Sequence, residues 1–204
     1  PINDFPLIPR YAVLDPEVTR SLPPFITAST GLDALTHAVE AYIGHSTTKK
    51  TRKAALKAVQ LIFANLQTAY HDGNNMTARK NMLHASYYAG VAFTISYVGY
   101  VHAVAHSLGG KYNIPHGLAN AVLLPIVLRD YGSTIYKKLH ELADAAGLSD
   151  ASESDAFAAE KFISAIENML DEFSLGRTLS GIRAEDIPEL ARHADAEGNP
   201  LDPV

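Results

Sequence analysis

Thr27-Ala-Ser-Thr-Gly-Leu-Asp-Ala-Leu-Thr-His-Ala-Val-Glu-Ala-Tyr42 is the stretch on which the fold turns. Thr27 to Gly31 supply capping chemistry, and Leu32, Leu35, Val39 and Ile43 then recur at helical spacing. Asp33 and His37 stand four apart, so a helix sends both side chains out from one face. An amphipathic helix that carries a carboxylate and an imidazole together joins the fold question to the functional one.

Downstream of this segment the helical pattern continues. Apolar periodicity predicts helices over residues 51–70, 77–90, 92–108, 118–131, 135–146, 156–173 and 185–194. Gly109-Gly110 is read as the stop of the third of these segments, Pro115 as the entry to the next, and Pro125 as a kink within it. Upstream, Tyr11-Ala-Val-Leu14 reads as one short strand closed by Asp15-Pro16, and Pro23-Pro24 as a bar to regular helix. A lone strand cannot complete its own hydrogen-bond ladder, so its sheet is expected outside this chain. The fold class expected is all-α, with a short strand and linker over residues 1–26 and a helical domain over 27–204.

Composition narrows the function. The chain has 204 residues, 47% hydrophobic, enough to bury a substantial core. A net charge of −5 offers no broad basic face, so no nucleic-acid partner is expected. With no cysteine there are no disulfides and no thiolate metal sites, and a cytoplasmic location is the expectation. Residues 1–10 lack the charged-then-apolar pattern of a secretory signal. The uncharged run from Asn81 to Gly110 contains His84, His102 and His106, so it reads as core helix lining a polar site rather than a membrane span.

Five side chains stand out as candidate metal ligands: Asp33, His37, His102, His106 and His116. His102 and His106 repeat the four-residue spacing, and His116 lies beyond the Gly-Gly pair. On one unbroken helix His102 and His116 would be roughly 20 Å apart, whereas a chain reversal between them lets both reach one point. Imidazoles with a carboxylate suit Fe²⁺ or Zn²⁺ better than Ca²⁺ or Mg²⁺. A single histidine on an apolar helix is more often a hydrogen-bonded core residue than a ligand. His45, His71, His84, His140 and His193, near charged, polar or turn segments, are read as structural or surface residues. The glutamate a zinc protease needs after its first histidine is missing from His102-Ala-Val-Ala-His106. Gly-x-Ser-x-Gly, Gly-x-Gly-x-x-Gly and P-loop motifs are also absent.

The stretch from Thr27 to Tyr42 resembles the first signature of the iron-containing (group III) alcohol dehydrogenases. Gly99-Tyr-Val-His-Ala-Val-Ala-His-Ser-Leu-Gly-Gly-Lys-Tyr-Asn-Ile-Pro-His-Gly-Leu-Ala-Asn-Ala-Val-Leu-Leu-Pro125 resembles the second, and Leu14 to Pro24 resembles the linker before them. The resemblance implies the helical C-terminal, metal-binding domain of the dehydroquinate synthase-like fold. It implies Asp33, His37, His102 and His116 as metal ligands, and His106 as the histidine off the metal, between nicotinamide and substrate. Val18 falls where the family places an apolar side chain against adenine. Fe²⁺, or alternatively Zn²⁺, and NAD or NADP are the implied cofactors, and a small, primary alcohol and its aldehyde the implied substrates. A homodimer or higher homo-oligomer is implied as well. The family's N-terminal dinucleotide-binding domain has no counterpart here, so the chain is expected to be a fragment, inactive by itself. A zinc-dependent polyol dehydrogenase and a non-catalytic helical metal-binding module are the alternatives.

Overall fold

The computed structural model describes residues 5–197, and among these no strand occurs. Eight α-helices follow one another: α1 (Pro24–Ile43), α2 (Lys49–His71), α3 (Met76–Ser96), α4 (Tyr100–Tyr112), α5 (His116–Tyr131), α6 (Tyr136–Ala145), α7 (Asp155–Glu172) and α8 (Ile187–Glu197). The all-α expectation therefore holds. The strand expected at Tyr11 to Leu14 does not form. That segment is irregular and exposed, with Tyr11 and Val13 almost fully open, because extended backbone becomes a strand only against a neighbouring ladder.

α1 is the central element. Most of its residues are buried, including Leu32, Leu35, Val39 and Ile43, and it packs on α2, α3 and α5. A helix buried on nearly all sides is a core element, so any polar group it carries needs an internal partner. The helix starts at Pro24, three residues earlier than its capping pattern suggests. Pro23-Pro24 does not bar it, because a proline in the first turn lacks only an N–H that the helix leaves unpaired anyway. Arg79 of α3 secures this entry: its guanidinium donates to Thr27 Oγ1 at 2.7 Å and to the Leu22 carbonyl at 3.1 Å.

α2 opens on a reciprocal capping box between Thr48 and Thr51, and α3 on the Asn75 side chain, which accepts from Ala78 N–H at 3.0 Å. The third and fourth helices divide elsewhere than expected. α3 runs on to Ser96 and α4 begins at Tyr100, the two crossing at 100°. The corner is Tyr97, at φ 62° and ψ −173°. That region is almost reserved for glycine and costs a tyrosine about 1–3 kcal/mol, held in place by its surroundings. Among the described residues no single helix is long and apolar enough to cross a membrane.

The reversal between α4 and α5 is also displaced. Gly109 and Gly110 stay inside α4, and the turn is made by Asn113, in the left-handed conformation at φ 54°, followed by Ile114-Pro115. Asparagine tolerates that conformation, and its N–H closes the helix on the Gly109 carbonyl at 2.9 Å. Two helical glycines cost about 1 kcal/mol each relative to alanine, which the burial of Val101, Ala105 and Leu108 outweighs. α5 continues through Pro125 and packs on α7, and α6 packs in turn on α7, α2 and α1; Leu139, Leu142, Phe162 and Ile166 of α6 and α7 are fully buried.

Candidate metal centre

Three helices bring the five candidate side chains together at one place. α1 presents Asp33 and His37, α4 presents His102 and His106, and α5 presents His116 from its first residue. Asp33 is the hub. Its Oδ1 lies 3.7 Å from His102 Nε2 and 3.4 Å from His116 Nε2, and its Oδ2 lies 3.8 Å from His37 Nδ1. Donor atoms held about 2.0–2.2 Å from a tetrahedral ion lie roughly 3.3–3.6 Å from one another, and the separations here, taken through both oxygens of Asp33, are 3.4–3.8 Å, close to that spacing. Asp33, His37 and His102 each offer an atom within 4.8 Å of the others, and His116 joins them through Asp33.

His102 has a defined orientation. Its side chain is 2% exposed, and its Nδ1 lies 2.5 Å from Glu40 Oε2, while Glu40 Oε1 accepts the Val101 N–H at 2.7 Å. Glu40, itself buried, therefore accepts a hydrogen bond from Nδ1–H and leaves the other ring nitrogen as an acceptor. That nitrogen, Nε2, is buried with no hydrogen-bond partner and faces Asp33. A buried, unpaired imidazole nitrogen is costly unless something binds it. Its neighbours supply a carboxylate oxygen and other nitrogens, the donor set of a borderline divalent metal.

A second anchor comes from α5. The Asn120 amide donates to Asp33 Oδ1 at 2.6 Å and lies 3.0 Å from His116 Nε2, with the residue fully buried. His37 stacks on Phe93 with ring centres 4.4 Å apart, which covers one imidazole face. Burial, with His102 alongside, lowers the His37 pKa to about 4 against the opposing pull of Asp33. His116 is lowered too, again chiefly by burial. Both rings are thus neutral near pH 7, the form that ligates metals.

His106 stands beside this group. Its ring stacks against His116 at 5.1 Å and meets His102 edge-on at 5.9 Å, and its Nδ1 lies 2.6 Å from Glu197 Oε1 of α8. It opens on a cleft of about 510 Å³ shared with Lys111, Glu189, His193 and Glu197. A larger cavity, about 620 Å³, lies between α2 and α3 and shares no lining residue with the histidine cluster. Val18 lies on a 3-10 turn, Pro16–Thr19, and is 73% exposed. His71 pairs with Glu172 and His140 with Asp155, each at 2.8 Å, structural partners as their polar surroundings suggest.

Sequence reasoning passed over Glu40, Asn120 and Glu197. A signal existed for two of them. Glu40 is the only charged residue of α1 besides Asp33 and lies seven positions beyond it, on the same face, while Asn120 sits one turn after His116.

The model of the iron-containing alcohol dehydrogenase family's C-terminal domain matches residues 27–203. The chain belongs to the iron-containing alcohol dehydrogenase family. Within it, the 1,3-propanediol dehydrogenase of Klebsiella pneumoniae is 42% identical over 194 residues, covering 94% of this chain and 50% of that protein. Alcohol dehydrogenase 4 of Saccharomyces cerevisiae is 42% identical over 195 residues, 95% of this chain and 50% of its own length. A solved 1,3-propanediol oxidoreductase superposes with a TM-score of 0.89 at 42% identity, over 93% of this chain and 50% of the other. The alcohol dehydrogenase from Oenococcus oeni gives 0.89 at 34% identity, with the same coverages. The chain thus spans about half the length of the family members it matches.

Proposed function

We propose that this chain carries the metal site of an NAD(P)-dependent dehydrogenase that interconverts a small, primary alcohol and its aldehyde. The observation that carries the reading is the orphaned, buried Nε2 of His102, facing Asp33 in a group with His37 whose donor atoms all lie within 4.8 Å of one another. Asp33, His37, His102 and His116 would hold the ion, Fe²⁺ first and Zn²⁺ as the alternative. Bound there, it would supply Lewis-acid polarisation of the alcohol or aldehyde oxygen.

The chain's own residues do the rest. Glu40 and Asn120 fix the ligand atoms in place before anything binds, so little reorganisation is needed. Phe93 keeps water from one face of His37. His106, outside the ligand set and open to the cleft, accepts the hydroxyl proton in oxidation and returns it in reduction, one imidazole nitrogen gaining what the substrate oxygen loses. Hydride exchange belongs to the nicotinamide, which a dinucleotide-binding domain on the N-terminal side would carry, with Val18 at the adenine. The chain alone is inactive on this reading.

Metal analysis of the purified chain after iron or zinc loading tests the site, with one ion per chain expected. Alcohol-dependent NAD(P) reduction by the chain joined to a dinucleotide-binding half tests the reaction. An ion bound without turnover in the joined enzyme would leave a metal-binding module and remove the dehydrogenase.

A further inference from the structure

The pairing of His106 with Glu197 is a long-range contact, 91 positions apart in sequence, between groups that are 41% and 44% exposed. Ion pairs this open contribute little to stability, so stability does not account for it. Nor is the placement of Glu197 loose. α8 lies antiparallel along α4 and is tied to it at each turn. Asp186, just before α8, meets Tyr112 and Lys111, and Glu189 meets Lys111. Ser107 Oγ donates to the Leu190 carbonyl at 3.0 Å, and Tyr100 to Asp195 at 3.3 Å. Leu190 and Ala194 are buried between them. These contacts set the register that puts the Glu197 carboxylate at His106 Nδ1.

We propose that Glu197 is the positioning residue for His106: its carboxylate holds the ring against α8 and keeps the proton on Nδ1, so that Nε2 is the nitrogen left free. This deepens the reading of His106 as the proton-handling side chain and rests on it, since a base that takes a hydroxyl proton needs an unprotonated nitrogen. Free neutral histidine prefers its proton on Nε2, the wrong arrangement for that task. The arrangement parallels Glu40 at His102: each histidine of α4 in the cluster has its Nδ1 on a glutamate from another helix.

The test reads the tautomer directly, by two-bond proton–nitrogen correlation spectra of the imidazoles, at a pH where histidine is neutral. In the unaltered chain His106 should carry its proton on Nδ1. Glu197→Ala should move it to Nε2, whereas Asp195→Ala, which loosens the same helix without touching His106, should leave it on Nδ1. A proton on Nε2 in the unaltered chain would overturn the proposal, as would a Glu197→Ala chain that keeps the Nδ1 form. An equal shift in Asp195→Ala would assign the effect to helix docking and overturn it too. Metal content of the same samples reports on the ligand reading separately. A chain that binds no ion yet shows the Glu197-dependent tautomer would remove the metal site and keep the Glu197 assignment.

Discussion

Glu40 Oε2 lies 2.5 Å from His102 Nδ1, and the same carboxylate accepts the N–H of Val101, so one buried side chain fixes both the ring of His102 and the turn of helix that carries it. Replacing Glu40 with Gln keeps the volume but puts an amide N–H against a donor. Carboxylates behind metal-bound histidines typically contribute 10–100-fold in affinity, and a loss of about that size is expected. Competition titration with a chelator measures it; affinity unchanged in Glu40→Gln would show that the bond does not orient a ligand.

His102→Ala and His106→Ala should part company. The first removes a proposed ligand, and bound metal should fall. The second should keep its metal, while the joined enzyme slows by about 10²–10⁴-fold as its proposed proton acceptor is lost. Elemental analysis beside turnover separates them, and metal lost only in His106→Ala would reverse the two roles.

Gly117 follows His116 and lies where α5 crosses α1. A Cβ built there would sit 2.7 Å from the Ser29 carbonyl oxygen and 2.9 Å from its carbon, backbone atoms that cannot turn aside. Gly117→Ala should therefore cost about 1–3 kcal/mol by forcing the helices apart, and weaken metal binding as His116 moves with α5. Gly110 has nothing within 4 Å of the same construction. Gly110→Ala should stabilise by about 0.5–1 kcal/mol through helix propensity. Thermal melts of both variants would show the opposite signs, and equal shifts would contradict the close approach.

The metal-free chain should lose stability on mild acidification. The His37 pKa falls from its ordinary 6.5 to about 4 in the folded chain, so between those values the unfolded chain takes up a proton that the folded chain refuses. Stability therefore declines from about pH 6.5 to about pH 4 on account of His37, with no such contribution above that window. Urea denaturation across the window, compared with His37→Asn, isolates it. A constant difference between the two proteins would show that His37 titrates normally.

Much of this was legible in the sequence for a physical reason: helical spacing of Leu32, Leu35 and Val39 needs only local geometry, and so does the shared face of Asp33 and His37. What was misplaced depended on neighbours. Gly109 and Gly110 look like a helix stop, yet burial of Leu108 and Ala105 keeps them helical, and Asn113 makes the reversal. Tyr11 to Leu14 has strand composition but no ladder to join. Glu197 carries no local mark, because its link to His106 exists only once α8 has docked on α4.

The bond between Asn120 and Asp33 spans 87 positions of chain, and the donors around it come from three helices. Contacts that distant repay their loop-closure entropy only after most of the chain is in place. An ion bridging α1, α4 and α5 would therefore grip a structure already past its folding barrier. It would hold the native chain back from unfolding many-fold while leaving the speed of folding nearly untouched, so the centre would serve as a kinetic latch on the domain as well as a place for chemistry.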